Sequence, residues 1–275
     1  DPYDPLYLAY KDVFTLTDVN TDLDQMLKSK QKKYSGNTAW LFIIAIEDYK
    51  YADKVLFARR TGEVVKSTFQ KKLDIADRNI ITLYNKEATV KNIRVQLRKL
   101  VRRIKRNDVI YFYYCGHGLS NKSGEQLILP YDGIPDFANS ENTIKIERIY
   151  NKFLNSTALR TFSFVDASFN GVTDGVSRLK GLENPKMRPR PEGYHKRINI
   201  LNSSRAQDSS NAYYTKEYRL FSYFLAKVVL SEPRNAGELF DNIRTQIRGV
   251  SGEYRHECLQ EPEFFGYREL TIQKQ

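Results

Sequence analysis

Two short segments carry the side chains most capable of chemistry. YYCGHG at 113–118 ends an apolar run and presents His117 between two glycines; FVDASFNG at 164–171 ends another and presents Asp166 and Ser168. An imidazole serves as general base and acid near neutral pH. A small hydroxyl-bearing residue in a turn after a strand stands where a nucleophile would stand. The two positions are fifty-one residues apart, so only a fold that sets two strand ends side by side unites them. Open parallel sheets do this, because their function gathers beyond the carboxyl ends of the strands. Asp166 lies two residues before Ser168 and leaves an extended chain on the same side, where its carboxylate would attract a cationic group. The plainer readings are a buried histidine satisfied by hydrogen bonds and an aspartate that caps a turn.

The elements that must position these groups follow from periodicity. After Trp40 the chain alternates strand and helix, the pattern of a parallel sheet covered on both faces. Strands are predicted at 40–46, 79–84, 109–114, 126–130, 161–165 and 198–201. Helices are predicted near 58–73, 91–106, 146–155 and 217–230, with a last one starting at Asn235, whose Glu238 three residues on makes a capping-box-like start. VIYFYY at 109–114 is too continuously apolar to have a wet face. Residues 173–197 are rich in Pro, Gly, Lys and Arg and read as a long loop. Residues 1–37 are polar and weakly patterned and are expected to form an extension of the domain at 38–275.

The chain of 275 residues is 41% hydrophobic and 28% charged, so a folded globular chain is expected. Its longest apolar run, WLFIIAI at 40–46, is far shorter than the roughly 20 residues of a membrane helix, and no membrane association is expected. The start, DPYDP, has no initiator Met and no leader pattern and reads as a trimmed or mature fragment, which leaves localisation open. Two cysteines and three histidines form no disulfide framework, metal clip or HExxH, so no metal site is predicted. The formal charge of +11 raises nucleic acid as a partner. Much of that charge is local: residues 91–106 hold eight Lys or Arg and no acid. Ile93, Leu97, Leu100, Val101 and Ile104 nevertheless line one helical face, so a core-facing helix with a solvated basic back is favoured over nucleic-acid binding.

From Trp40 to about Gly266 the chain resembles the caspase-like cysteine peptidases, more closely the metacaspase and bacterial caspase-homologue branch. YCGHG is similar to that branch's Y-S-G-H-G, LPYDG at 129–133 to its L-x-P-x-D, and DASFNG to its D-A-C-F-S-G. Caspases also place their histidine about 50 residues before the nucleophile motif. The resemblance implies a caspase-like three-layer α/β fold, with a mostly parallel central sheet and helices on both faces. It also implies peptide-bond cleavage through a His/Cys dyad. His117 would then be the general base, and the N–H groups of Gly118 and residue 168 the oxyanion hole. Asp166 would favour Arg or Lys before the scissile bond, Cys115 would line the same pocket, and Ser203, Ser204 and Gln207 would pair with the substrate backbone. Arg178, Lys180 and Lys186 become candidates for self-processing in the loop at 173–197. Thr61 aligns where a second pocket acid would stand, and Arg205 could instead favour an acidic substrate. Asp132 reads as structural. Relatives of this kind are generally monomers, and many metacaspases respond to calcium, so calcium stays open as a cofactor although the acidic residues are too scattered to define a site.

Ser168 is the departure, since it occupies the family's cysteine position. A thiol with a pKa of about 8.5 supplies thiolate beside histidine, whereas an alkoxide is scarcely available, so this form is expected to be inert. An engineered change that blocks self-cleavage and a natural pseudopeptidase that binds peptides or proteins both account for it. A working Ser/His hydrolase is a weaker alternative without a G-x-S-x-G elbow.

Overall fold

Apolar residues on both parities of a strand demand cover on both faces, and the segments beginning at Ala39 and Val109 have them. The structure is a computed structural model and describes residues 21–27, 36, 38–173, 176–177, 196–251 and 260–272. In chain order its helices are α1 (Asp22–Leu27), α2 (Ala58–Leu73), α3 (Val90–Arg103), α4 (Ile146–Leu154), α5 (Leu220–Leu230) and α6 (Ala236–Ser251). Strands β1 (Ala39–Ala45), β2 (Ile80–Tyr84) and β3 (Val109–Cys115) precede three short ones, β4 (Gly118–Ser120), β5 (Gln126–Ile128) and β6 (Ile144–Lys145). Then follow β7 (Arg160–Asp166), β8 (Val172–Thr173), β9 (Val176–Ser177), β10 (Ile198–Asn202), β11 (Ala212–Tyr213), β12 (Tyr218–Arg219) and β13 (Glu263–Phe265).

The main sheet runs β13-β10-β7-β3-β1-β2. Its first five strands in chain order are parallel and β13 is antiparallel at the edge. Alternate residues feed two cores. Leu41, Ile43, Tyr111, Tyr113, Phe162 and Phe164 meet α2, α5 and α6, while Trp40, Phe42, Ile44, Ile110, Phe112 and Val165 meet α3 and α4. The expected three-layer caspase-like fold is therefore present. β4, β5 and β6 form a small antiparallel sheet beyond the end of β3.

Three boundaries differ for local reasons. The basic helix runs Val90–Arg103 rather than 91–106: Thr89 caps its start by accepting from Asn92 N at 3.2 Å, and Ile104 turns extended at its end. The helix expected from 217 begins at Leu220, because Glu217 adopts a left-handed φ of 56° and Tyr218–Arg219 pair with Ala212–Tyr213. β13 was not predicted, since its three residues offer no length over which a period could show. Along α3, Ile93, Leu97 and Leu100 are buried and Val101 half-buried, while Lys91, Arg94, Arg98, Lys99, Arg102 and Arg103 are exposed. Arg103 stacks over Trp40 and donates to Arg78 O at 3.0 Å. Asp132 accepts from Val90 N at 2.9 Å and so satisfies the first turn of this helix. Asn235 Oδ1 accepts from Glu238 N at 2.9 Å and caps α6.

Among the described residues no helix is long and apolar enough to cross a membrane. Of residues 1–37, the described part includes α1, which buries Leu23 in the core and presents its acids to the body of the fold. Asp22 bonds Tyr223 and Lys227, and Asp24 bonds Tyr218 and Arg60. Arg178, Lys180, Lys186, His195, His256 and Cys258 lie outside the described residues.

Candidate functional site

β3 and β7 are neighbours in parallel register, with Cys115 beside Asp166. Two residues further along each chain come His117 and Ser168, so the two predicted groups leave adjacent strand ends. Gly118 confirms the closeness of the two turns: a Cβ there would lie 2.6 Å from both Ser168 O and the Phe169 ring, which only glycine avoids. At Gly116 the constraint is Tyr49, whose hydroxyl would be 2.4 Å from an added Cβ. The glycines flanking His117 thus serve contacts within the chain.

His117 is held on three sides. Its backbone N donates to Tyr49 Oη at 2.7 Å, its carbonyl accepts from Tyr114 Oη at 2.5 Å, and the Tyr49 ring lies 4.8 Å from the imidazole. Its Nε2 lies 2.8 Å from the carbonyl oxygen of Asp53, in the loop after β1. A carbonyl only accepts, so Nε2 carries a proton, and in the neutral form of the ring the lone pair belongs to Nδ1. This is the tautomer in which Nδ1 can remove a proton from a nucleophile. Asp53 contributes through its backbone, which is why its side-chain identity carried no signal in the sequence.

Ser168 Oγ accepts from Ser210 N at 2.6 Å. Ser210 proves to be the joint of the site, since its hydroxyl donates to Asp166 Oδ1 and its carbonyl accepts from Arg219 Nη2 at 2.6 Å. Neither Ser210 nor Arg219 was singled out from sequence. Ser210 belongs to the same NSSRAQDSSNA segment that supplied Ser203, Ser204 and Gln207, so the segment was found and the residue missed. Asp166 also accepts from Ser222 N at 3.2 Å and Ser222 Oγ at 2.6 Å, on the first turn of α5, and Tyr113 Oη donates to Ser222 Oγ at 2.8 Å.

Burial pushes the Asp166 carboxyl up, against the lowering charge of Arg219 and the hydrogen bonds from Ser210 and Ser222. Burial, then the neighbouring Asp166 charge, pushes the Cys115 thiol well up, so Cys115 is a small apolar filler beside the carboxylate. Thr61, where a second acid was sought, donates to Phe57 O at 2.6 Å and accepts from Arg219 N at 3.0 Å.

The remaining predicted residues separate. Ser203 is committed inside the chain: its N donates to Val165 O at 2.8 Å and its Oγ accepts from Ala167 N at 3.2 Å. Ser204 is buried beside it. Gln207 is exposed and its carbonyl accepts from Asn170 Nδ2 at 2.8 Å. Arg205 faces Asp208 and Glu261, each at 3.9 Å. His117 is 1% and Ser168 2% exposed, so both side chains are buried. Among the described residues no group of three or more His, Cys, Asp or Glu could hold a metal ion.

Residues 38–268 match the family described as caspase domain. Comparison with curated proteins returns no match. A solved structure of a Geobacter sulfurreducens protein is similar with a TM-score of 0.62 at 13% identity, covering 86% of this chain and 98% of that one. Caspase-1 from Spodoptera frugiperda is similar with a TM-score of 0.62 at 12% identity, covering 88% of this chain and 92% of that one. At such identities the two structures speak for the fold alone.

Proposed function

The chain belongs to the caspase-domain family of cysteine peptidases, and we propose that it carries that family's endopeptidase site, with His117 as general base and position 168 as nucleophile, disabled by Ser168. The observation that supports this reading is the juxtaposition of His117 and Ser168 beyond adjacent parallel strands, with the imidazole tautomer set by Asp53 O. With a thiol at 168, Nδ1 would take the thiol proton and later give it to the leaving amine, while a tetrahedral oxyanion would be met by the N–H groups of Gly118 and residue 168. Serine lacks the acidity for this, and the imidazole alone does not supply it. Asp166 favours Arg or Lys before the scissile bond, and the same preference makes Arg178, Lys180 and Lys186 the self-processing candidates. Proteins or peptides are the substrates, and the working unit is a monomer without nucleic acid.

The test is Ser168→Cys, followed by the pH dependence of its alkylation by iodoacetamide and by hydrolysis of fluorogenic peptides ending in Arg, Lys or Asp. The expected thiol alkylates well below the ordinary cysteine pKa of about 8.5, loses that behaviour with His117→Ala, and releases fluorophore from Arg or Lys peptides. A thiol that titrates as free cysteine and cleaves nothing sinks the reading.

One observation favours a second reading, a pseudopeptidase that binds peptides without cutting them. Ser210 N donates to Ser168 Oγ at 2.6 Å, a separation that suits oxygen and is too short for sulfur.

A further inference from the structure

Arg219 is fully buried, with no exposed surface, and is among the largest side chains of which this is true. A guanidinium is always charged, and a buried one requires a counter-charge and acceptors. Its acceptors include Ser210 O at 2.6 Å and, more weakly, Ser210 Oγ at 3.4 Å and Leu56 O at 3.5 Å. Its counter-charge is Asp166, for the same Ser210 hydroxyl that faces Arg219 donates to the Asp166 carboxylate. The backbone N–H of Arg219 donates to the Thr61 hydroxyl on α2 at 3.0 Å. One hydroxyl thus joins acid and base, and its own backbone N–H bonds Ser168.

We propose that Arg219 is a resident occupant of the Asp166 pocket: its guanidinium takes the part that a substrate's basic side chain would play, and so masks basic specificity and holds the site shut. The inference rests on the proposed peptidase reading and adds a regulation to it. Asp166 and Arg219 together bring no net charge, so an incoming Arg or Lys finds no uncompensated carboxylate. Its binding requires Arg219 to leave Ser210, the residue whose N–H bonds Ser168. Removing the guanidinium leaves Asp166 charged and without its counter-ion, a cavity shaped and charged for a guanidinium from outside.

Chemical rescue tests this without catalysis. Arg219→Ala is titrated with low-millimolar methylguanidinium and its Tm followed, beside the parent chain, Arg219→Ala/Asp166→Asn, and urea as a neutral control. The expected result is a saturable rise of several degrees in Arg219→Ala alone. An equal response in the parent chain or in the double variant, or no response in Arg219→Ala, overturns the proposal. If Arg219→Ala does not fold, Arg219→Gln, which keeps the chain length and an amide donor for Ser210 O, takes its place in the titration. A kinetic arm separates the two claims. Adding Arg219→Gln to Ser168→Cys should raise hydrolysis of Arg-terminated peptides by about tenfold or more, the lower end of what breaking a buried charge pair moves. Equal rates with and without Arg219 overturn the occupant and leave the peptidase reading standing. A thiol at 168 that never alkylates in a His117-dependent way, alongside successful rescue, overturns the peptidase reading and leaves the occupant standing.

Discussion

On the α3/α4 side of the sheet, Phe42, Ile44, Ile110 and Phe112 meet Ile93, Leu97, Ile149 and Phe153 in a mostly apolar layer whose buried side-chain hydrogen bonds include Ser163–Tyr150 at 3.1 Å and Trp40–Asp108 at 2.8 Å. On the α2/α5/α6 side an apolar layer of similar construction gives way, toward the strand ends, to Tyr113, Ser222, Asp166, Ser210 and Arg219 linked one to the next. The first face tolerates volume-conserving apolar swaps over most of its extent. The second does not, because each buried polar group needs a specific partner in a low-dielectric setting. Polar groups gathered at one end of one face mark where the fold gives up generic packing for recognition.

Two substitutions sharpen this contrast and a third probes its edge. Phe112→Ala removes a fully buried ring that packs on Phe42 and Phe153, and should cost about 4 kcal/mol of stability in urea unfolding. Asp166→Asn deletes almost no volume yet leaves the Arg219 charge uncompensated, and should cost about 3 kcal/mol. A loss below about 1 kcal/mol, the worth of an ordinary hydrogen bond, would show that the two charges are uncoupled and would erase the distinction between the faces. The smallest effect lies at Asp22 on α1. Burial raises its carboxyl, but hydrogen bonds from Lys227 and Tyr223 outweigh this and lower it from 3.8 to about 2. A depressed carboxylate stabilises the fold above the unfolded value and loses that contribution as pH falls through the folded one. The stability difference between the parent chain and Asp22→Asn should therefore be present at pH 5 and fall away as pH drops through about 2; no difference at pH 5 would assign α1 docking to Leu23 alone.

Strands β1, β3, β7 and β10 and the whole of α2 were legible because their apolar residues repeat with periods that the backbone itself imposes. His117, Asp166 and Ser168 were legible for a related reason: they follow apolar runs directly, so reading the strand locates the residue beyond it. Short elements such as β11, β12 and β13 were not, since two or three residues display no period. Asp53 escaped because it acts through a carbonyl. Arg219 escaped because it sits in YRLFSYFL, where an arginine just before a helix reads as a solvated residue.

By itself the sequence determined the layers, the strand ends that carry chemistry, and the family to which the motifs point, all of which depend on residues near one another in the chain. Only the tertiary structure decided what Asp166 already holds. Its partners come from Ser210, Arg219 and Ser222, more than forty residues away on other elements. A carboxylate's local sequence announces its charge, but whether that charge is open to a substrate or answered from within depends on how distant segments fold over it.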